Sequence, residues 1–165
     1  MPKILFDDLG GLQAHLKSDI MKAINNELFD ICEKVVLENL NQRVYEAYTP
    51  QGDWAYDRTM ELLNAITVGN LTIGTKYATF EVYMDSDKIN PYVTDDIAWN
   101  QHASVDPIDV SEYIPMWIEE GTKGGLFPRE GAHYMEQSYQ KLDGGLALEL
   151  AKVLKSSGWN VIEVS

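Results

Sequence analysis

The chain of 165 residues contains one cysteine, Cys32, which excludes an internal disulfide and the disulfide-stapled class of small secreted scaffolds. Basic residues are scarce: 13 Lys and Arg stand against 26 Asp and Glu, a net charge of −13. No run of basic residues is present to build a surface that grips duplex phosphates. Nowhere do 18 apolar residues follow one another, so no membrane span is expected. The start, Met1-Pro2-Lys3-Ile4-Leu5-Phe6-Asp7-Asp8, lacks the apolar segment of a signal peptide, so Cys32 is expected to be an intracellular thiol and the Asn70-Leu71-Thr72 sequon to be silent. Internal repeats and low-complexity segments are absent as well. What remains is the composition of an ordinary globular protein, 45% hydrophobic and 24% charged, at a length that suits a single domain over residues 1–165.

Leu12, Leu16, Ile20, Ile24, Leu28, Ile31 and Val35 recur every three to four residues, and Cys32, Leu40 and Val44 extend the stripe. This spacing predicts one long amphipathic helix from about Leu9 to about Tyr45, followed by a turn at Tyr48–Asp53. From Ala65 to Asp85 the period changes. Phe80, Val82 and Met84 alternate with Thr79, Glu81 and Tyr83, which predicts a two-strand meander broken at Gly74-Thr75. A long polar loop without periodicity is expected from Ser86 to Val110. A short helix capped by Ser111, with Pro115 near its first turn, should end at Gly121. Tyr139, Leu142, Leu146, Leu150, Val153 and Leu154 mark a second long helix, weakened by Gly144-Gly145 and stopped at Gly158. Trp159, Val161, Ile162 and Val164 suit a closing strand. The expected class is α+β: a small antiparallel sheet flanked by a long N-terminal and a long C-terminal helix, with a long loop between the strands and the short third helix.

Few residues suggest chemistry. Asp95, Asp96, His102 and Asp106 combine carboxylates with an imidazole, but their spacing matches no metal motif, and a solvated acidic loop is the simpler reading. Asp85-Ser86-Asp87 opens like a calcium loop, yet Ile89 takes a ligand position and Asn90 the place of the turn glycine. Gly121-Thr122-Lys123-Gly124-Gly125 lacks the order of a phosphate loop and reads as a hinge. His15 and His133 have no Ser, Cys or Asp at triad spacing. Glu119 and Glu120, adjacent on a helix, point in different directions rather than forming a carboxylate pair. Cys32 sits on the apolar stripe and is expected in the core. No catalytic residue, cofactor or metal is therefore assigned. Tyr92, Trp99, Tyr113 and Trp117 fall in or beside the polar loop, outside the core periodicity. Aromatics so placed either fold back on their own domain or anchor a protein interface, and these four are the interface candidates.

The segment Tyr56-x-Arg58-Thr59-x-x-Leu62-Leu63-Asn64 follows the first helix, and Trp117-Ile118-Glu119-Glu120-Gly121-Thr122 with Pro128-Arg129 precedes the second. In this order the motifs resemble the tailed-phage head–tail joining, or tail completion, family of minor virion proteins. The resemblance covers most of the chain in element order and about twenty residues in motif. It implies a non-enzymatic subunit of the virion, present in the host cytoplasm during assembly. That subunit would form a ring with copies of itself, hexameric by this likeness, at the neck or the head-proximal end of a long tail. It would contact other phage neck or tail proteins, with DNA passing through without tight binding and no membrane involved. By the same likeness, Arg58 and Thr59 fix the entry to the strands, and Glu120, Gly121 and Thr122 shape the turn that places the second helix. Two other readings stay open at this point. One is a small metal-dependent hydrolase using Asp95, Asp96 and His102, and the other a monomeric adaptor for one protein partner.

Overall fold

The computed structural model describes residues 8–47, 60–75, 77–89, 113–123 and 129–162. The predicted first helix runs from Leu9 to Tyr45, but as alternating segments: α1 (Leu9–Ala23), a π-helical turn (Ile24–Leu28), α2 (Phe29–Leu40) and a second π turn (Asn41–Tyr45). Asp8 caps its start by accepting the Gly11 N–H. The buried residues explain the π turns. Ile24, Leu28, Cys32, Val36, Leu40 and Val44 fall every fourth position and are 0–7% exposed. Four residues overshoot one α-helical turn by about 40°, so such a stripe winds around the helix. In the π turns the bonds span five residues, as from Phe29 N–H to Ile24 O and from Glu46 N–H to Asn41 O, which takes back part of that drift.

After α3 (Glu61–Ala65), the strands β1 (Ile66–Ile73) and β2 (Ala78–Met84) form the antiparallel hairpin expected from their alternation. Its register shifts between Gly69 and Thr72, where Asn70 takes φ 55, so β1 carries a bulge. The expected loop begins as structure instead: Ser86–Lys88 is a 3-10 turn closed by Asp85, and Ile89 enters the core at 4% exposure. Further on come α4 (Ile114–Glu120) and a two-residue ladder of β3 (Gly121–Thr122) with β4 (Arg129–Glu130). Gly121-Thr122, expected in a hinge, is therefore strand-paired.

The second long helix is broken into α5 (Tyr134–Leu142) and α6 (Gly145–Ser156). Gly144 adopts φ 73, a left-handed conformation that ends helical propagation. Gly158 at φ 97 stops α6 as expected, with Trp159 N–H bonding back to Leu154 O. Trp159–Ile162 form no strand. The Trp159 indole turns back to α1 and donates to Asp19 Oδ2 at 3.0 Å. The α+β class holds, with helices dominating two small ladders among the described residues.

The main core lies where α2 crosses α5 and the base of the hairpin. Val36, Leu40, Val44, Leu62, Ala65, Ile66, Ile89, Ala132 and Tyr134 are its buried members. At the other end, Ile24 and Leu28 and the buried Ala151 and Leu154 mark the packing of the long helix against α6. Among the described residues no helix is long and apolar enough to cross a membrane.

Candidate interaction surface

Helix α4 has two unlike sides. Ile114 and Ile118, four residues apart, pack against the main core. Tyr113, Met116 and Trp117 face outward and are 44%, 47% and 40% exposed. The Tyr113 and Trp117 rings stack at 5.8 Å and 22°, so the face is a preformed aromatic pair rather than loose side chains. Two of the four sequence candidates thus meet on one surface. Tyr92 and Trp99 lie outside the described residues, as do Arg58 and Thr59.

A polar junction holds this face in place. The start of α5 lacks a side-chain cap of its own, because His133, at φ 50, occupies the cap position in a left-handed conformation. Glu119 supplies the cap from α4. Its Oε2 accepts the Met135 N–H at 3.0 Å and its Oε1 the Glu136 N–H at 3.1 Å, with the carboxylate at the positive end of α5. The last carbonyls of α4 are used as well. Ala132 N–H donates to Ile118 O at 2.8 Å and His133 N–H to Glu119 O at 3.1 Å. Backbone approaches backbone so closely that a Cβ on Gly131 would lie 2.7 Å from the Glu120 carbonyl carbon, so only glycine fits. Gly121 at φ 82 turns the chain out of α4, and the Gly121–Glu130 and Thr122–Arg129 pairs clamp the turn. Arg43, in the second π turn, reaches the Ala132 carbonyl at 3.3 Å.

Glu120 ends α4, and Gly121 and Thr122 form the strand-paired segment that follows it. The carboxylate that caps α5 is that of Glu119. The one available signal for it was an α5 start, Ala132-His133-Tyr134, without Ser, Thr, Asp or Asn to cap it. Gly131 carried no signal beyond being a glycine.

Behind the junction Tyr134 is fully buried, and Ser138 Oγ donates to its carbonyl at 2.6 Å. Asn39 Nδ2 in turn donates to Ser138 Oγ at 2.9 Å and to Val35 O at 3.0 Å, which ties α5 to α2 through buried polar contacts. Burial, with Glu119 and Tyr45 nearby, pushes the Tyr134 phenol above its ordinary value, so it stays protonated. Burial likewise pushes the Cys32 thiol up to about 11, which keeps it protonated and poorly nucleophilic at neutral pH. His133 lies at the cap of α5, 3.5 Å from Glu136, and His15 lies 3.4 Å from Asp19 on α1. Asp95, Asp96, His102 and Asp106 lie outside the described residues. Among the described residues, no three His, Cys, Asp or Glu side chains gather where they could hold a metal.

The arrangement is an exposed aromatic face on a helix braced against the core. The family model named YomN matches residues 8–156, from the cap of α1 to the end of α6. The chain belongs to the YomN family. The match spans the long helix, the hairpin, the α4 face and the Glu119 junction. The family is phage-related, which agrees with the phage origin expected from the motifs. No curated protein and no solved structure matches the chain.

Proposed function

We propose that this protein is a non-enzymatic structural subunit of a tailed-phage virion, a head–tail joining or tail completion protein. It forms a ring at the neck or at the head-proximal end of the tail. The observation that carries this reading is the exposed, stacked Tyr113–Trp117 pair with Met116, on a helix whose other side is anchored in the core. Aromatic residues held rigid at a surface are what protein interfaces use as anchors, because little side-chain freedom remains to be lost on binding. Membership of a phage-related family and the order of the motifs support the virion setting. The net charge of −13 supports a ring that lets DNA pass, since such a surface repels phosphate. The aromatic face meets neighbouring neck or tail proteins or the next copy in the ring.

Imaging of phage particles with the protein tagged at its C-terminus tests the proposal. Label at the neck or the head-proximal tail end is expected, together with a failure to form joined particles when the gene is deleted. Joined, infectious particles from the deletion would overturn it.

A further inference from the structure

Among the described residues, one side of the hairpin is left without a backbone partner, and the virion reading does not use it. Its two strands alternate bonded and non-bonded pairs, and the Asp85 N–H to Ala65 O bond and the Gly74 N–H to Tyr77 O bond fix the phase. In that phase the backbone N–H and C=O groups of Phe80, Val82 and Met84 point away from β1, to the outer edge of β2. Among the described residues no backbone group bonds to them. The β1 strand runs along α2 and is bulged at Asn70, whereas β2 is regular over all seven residues. A sheet of two strands is marginal by itself, and a long regular edge is a template for another strand.

We infer that the outer edge of β2 pairs antiparallel with β2 of a second copy of this chain, giving a four-stranded sheet across a two-fold axis. Two observations select a second copy. A regular strand edge is its own antiparallel complement, so no other shape matching is required. The strands are also nearly neutral in a chain of net charge −13: residues 66–73 and 78–84 contain one charged side chain, Glu81. Two identical acidic chains repel least where such a strip meets itself. Glu81 fixes the register. A centre at Glu81 would set the two carboxylates face to face, so the axis passes through Phe80 or Val82, whose edge groups point outward. A centre at Phe80 places Glu81 opposite Thr79 of the second copy, and a centre at Val82 places it opposite Tyr83. Both of these side chains are exposed. This contact goes beyond the virion reading and stands without it, because it is a property of the purified chain.

A charge swap on full-length protein, read by sedimentation equilibrium, tests the contact. Thr79→Glu with Tyr83→Glu sets a carboxylate against Glu81 in either register and is expected to weaken dimerisation about tenfold. Thr79→Lys with Tyr83→Lys sets an ammonium against it and is expected to tighten the dimer. Asn25→Lys with Asn26→Lys, exposed on the first π turn, makes the same change in net charge and is expected to leave the dimer constant near that of the unmodified chain. A monomeric wild-type protein at all concentrations would overturn the inference. So would equal effects of the two lysine pairs, or a dimer that tolerates the glutamates. Absence of the protein from the neck with the charge swap intact would sink only the virion reading.

Discussion

Two apolar stripes at helical spacing meet opposite fates in this molecule. On the long helix, Ile24, Leu28, Cys32, Val36, Leu40 and Val44 are covered almost completely by α5, α6 and the hairpin. On α4, Tyr113, Met116 and Trp117 repeat at the same kind of spacing and stay 40–47% exposed. Periodicity identifies an apolar side in both cases but does not say what covers it. The difference lies in what stands opposite. The long helix meets several elements along its length, whereas α4 spends its inner side, Ile114 and Ile118, on the core and has the outer side to spare.

The comparison breaks first at the buried stripe. Leu40 is fully buried, so Leu40→Ala is expected to cost about 2–5 kcal/mol, the lost transfer energy plus a cavity. That is a large share of a total stability of ~5–15 kcal/mol. Denaturant unfolding should show a lower midpoint at unchanged slope. A loss below ~1 kcal/mol would mean that this stripe is not the main core.

Next comes the junction that holds the exposed face. Glu119→Ala removes both acceptors at the start of α5 and is expected to cost about 1–2 kcal/mol. Glu119→Gln keeps one acceptor oxygen and should recover about half of that. If alanine and glutamine behave alike, the carboxylate is not bonding the Met135 and Glu136 N–H groups together.

Much of this architecture was legible from residues alone. The ends of the long helix, the hairpin with its break at Gly74, the short helix ending at Gly121 and the stop at Gly158 follow from local spacing and turn chemistry. What was not legible depends on tertiary contact. The π turns answer a buried stripe whose residues fall every fourth position, visible only once burial is known. Tyr139 looked like a core position and is 70% exposed, while Tyr134 is buried, because α5 starts anew after His133 and ends before Gly144. The expected closing strand at Trp159 fails because the indole finds Asp19, 140 residues away in sequence. Of the site, Tyr113 and Trp117 were named from sequence. The supporting Glu119 and Gly131 were not, since an acceptor contributed from another helix leaves no local pattern.

The smallest stability effect is expected at that C-terminal contact. The Trp159 indole N–H holds the Asp19 carboxyl below its ordinary value of 3.8; burial opposes this, and His15 and Lys22 add to the lowering. A carboxyl with a lowered folded value stabilises above its ordinary value and loses that contribution as pH falls through the folded one. Asp19→Asn should therefore lower the melting temperature by about 1–2 °C at neutral pH, and the two proteins should converge in acid below 3.8. A difference that grows on acidification would reverse the sign and reject the contact.

The most direct test of the central claim pairs two readings of Trp117→Ala. If the α4 face is an interaction surface, the isolated protein should melt within about 2 °C of the unmodified chain, while each assembly contact weakens by about 2 kcal/mol or more. The count of joined particles in a complementation assay should then fall sharply. A melting temperature lowered as far as that of Leu40→Ala, or a normal count of joined particles at normal melting, would contradict it.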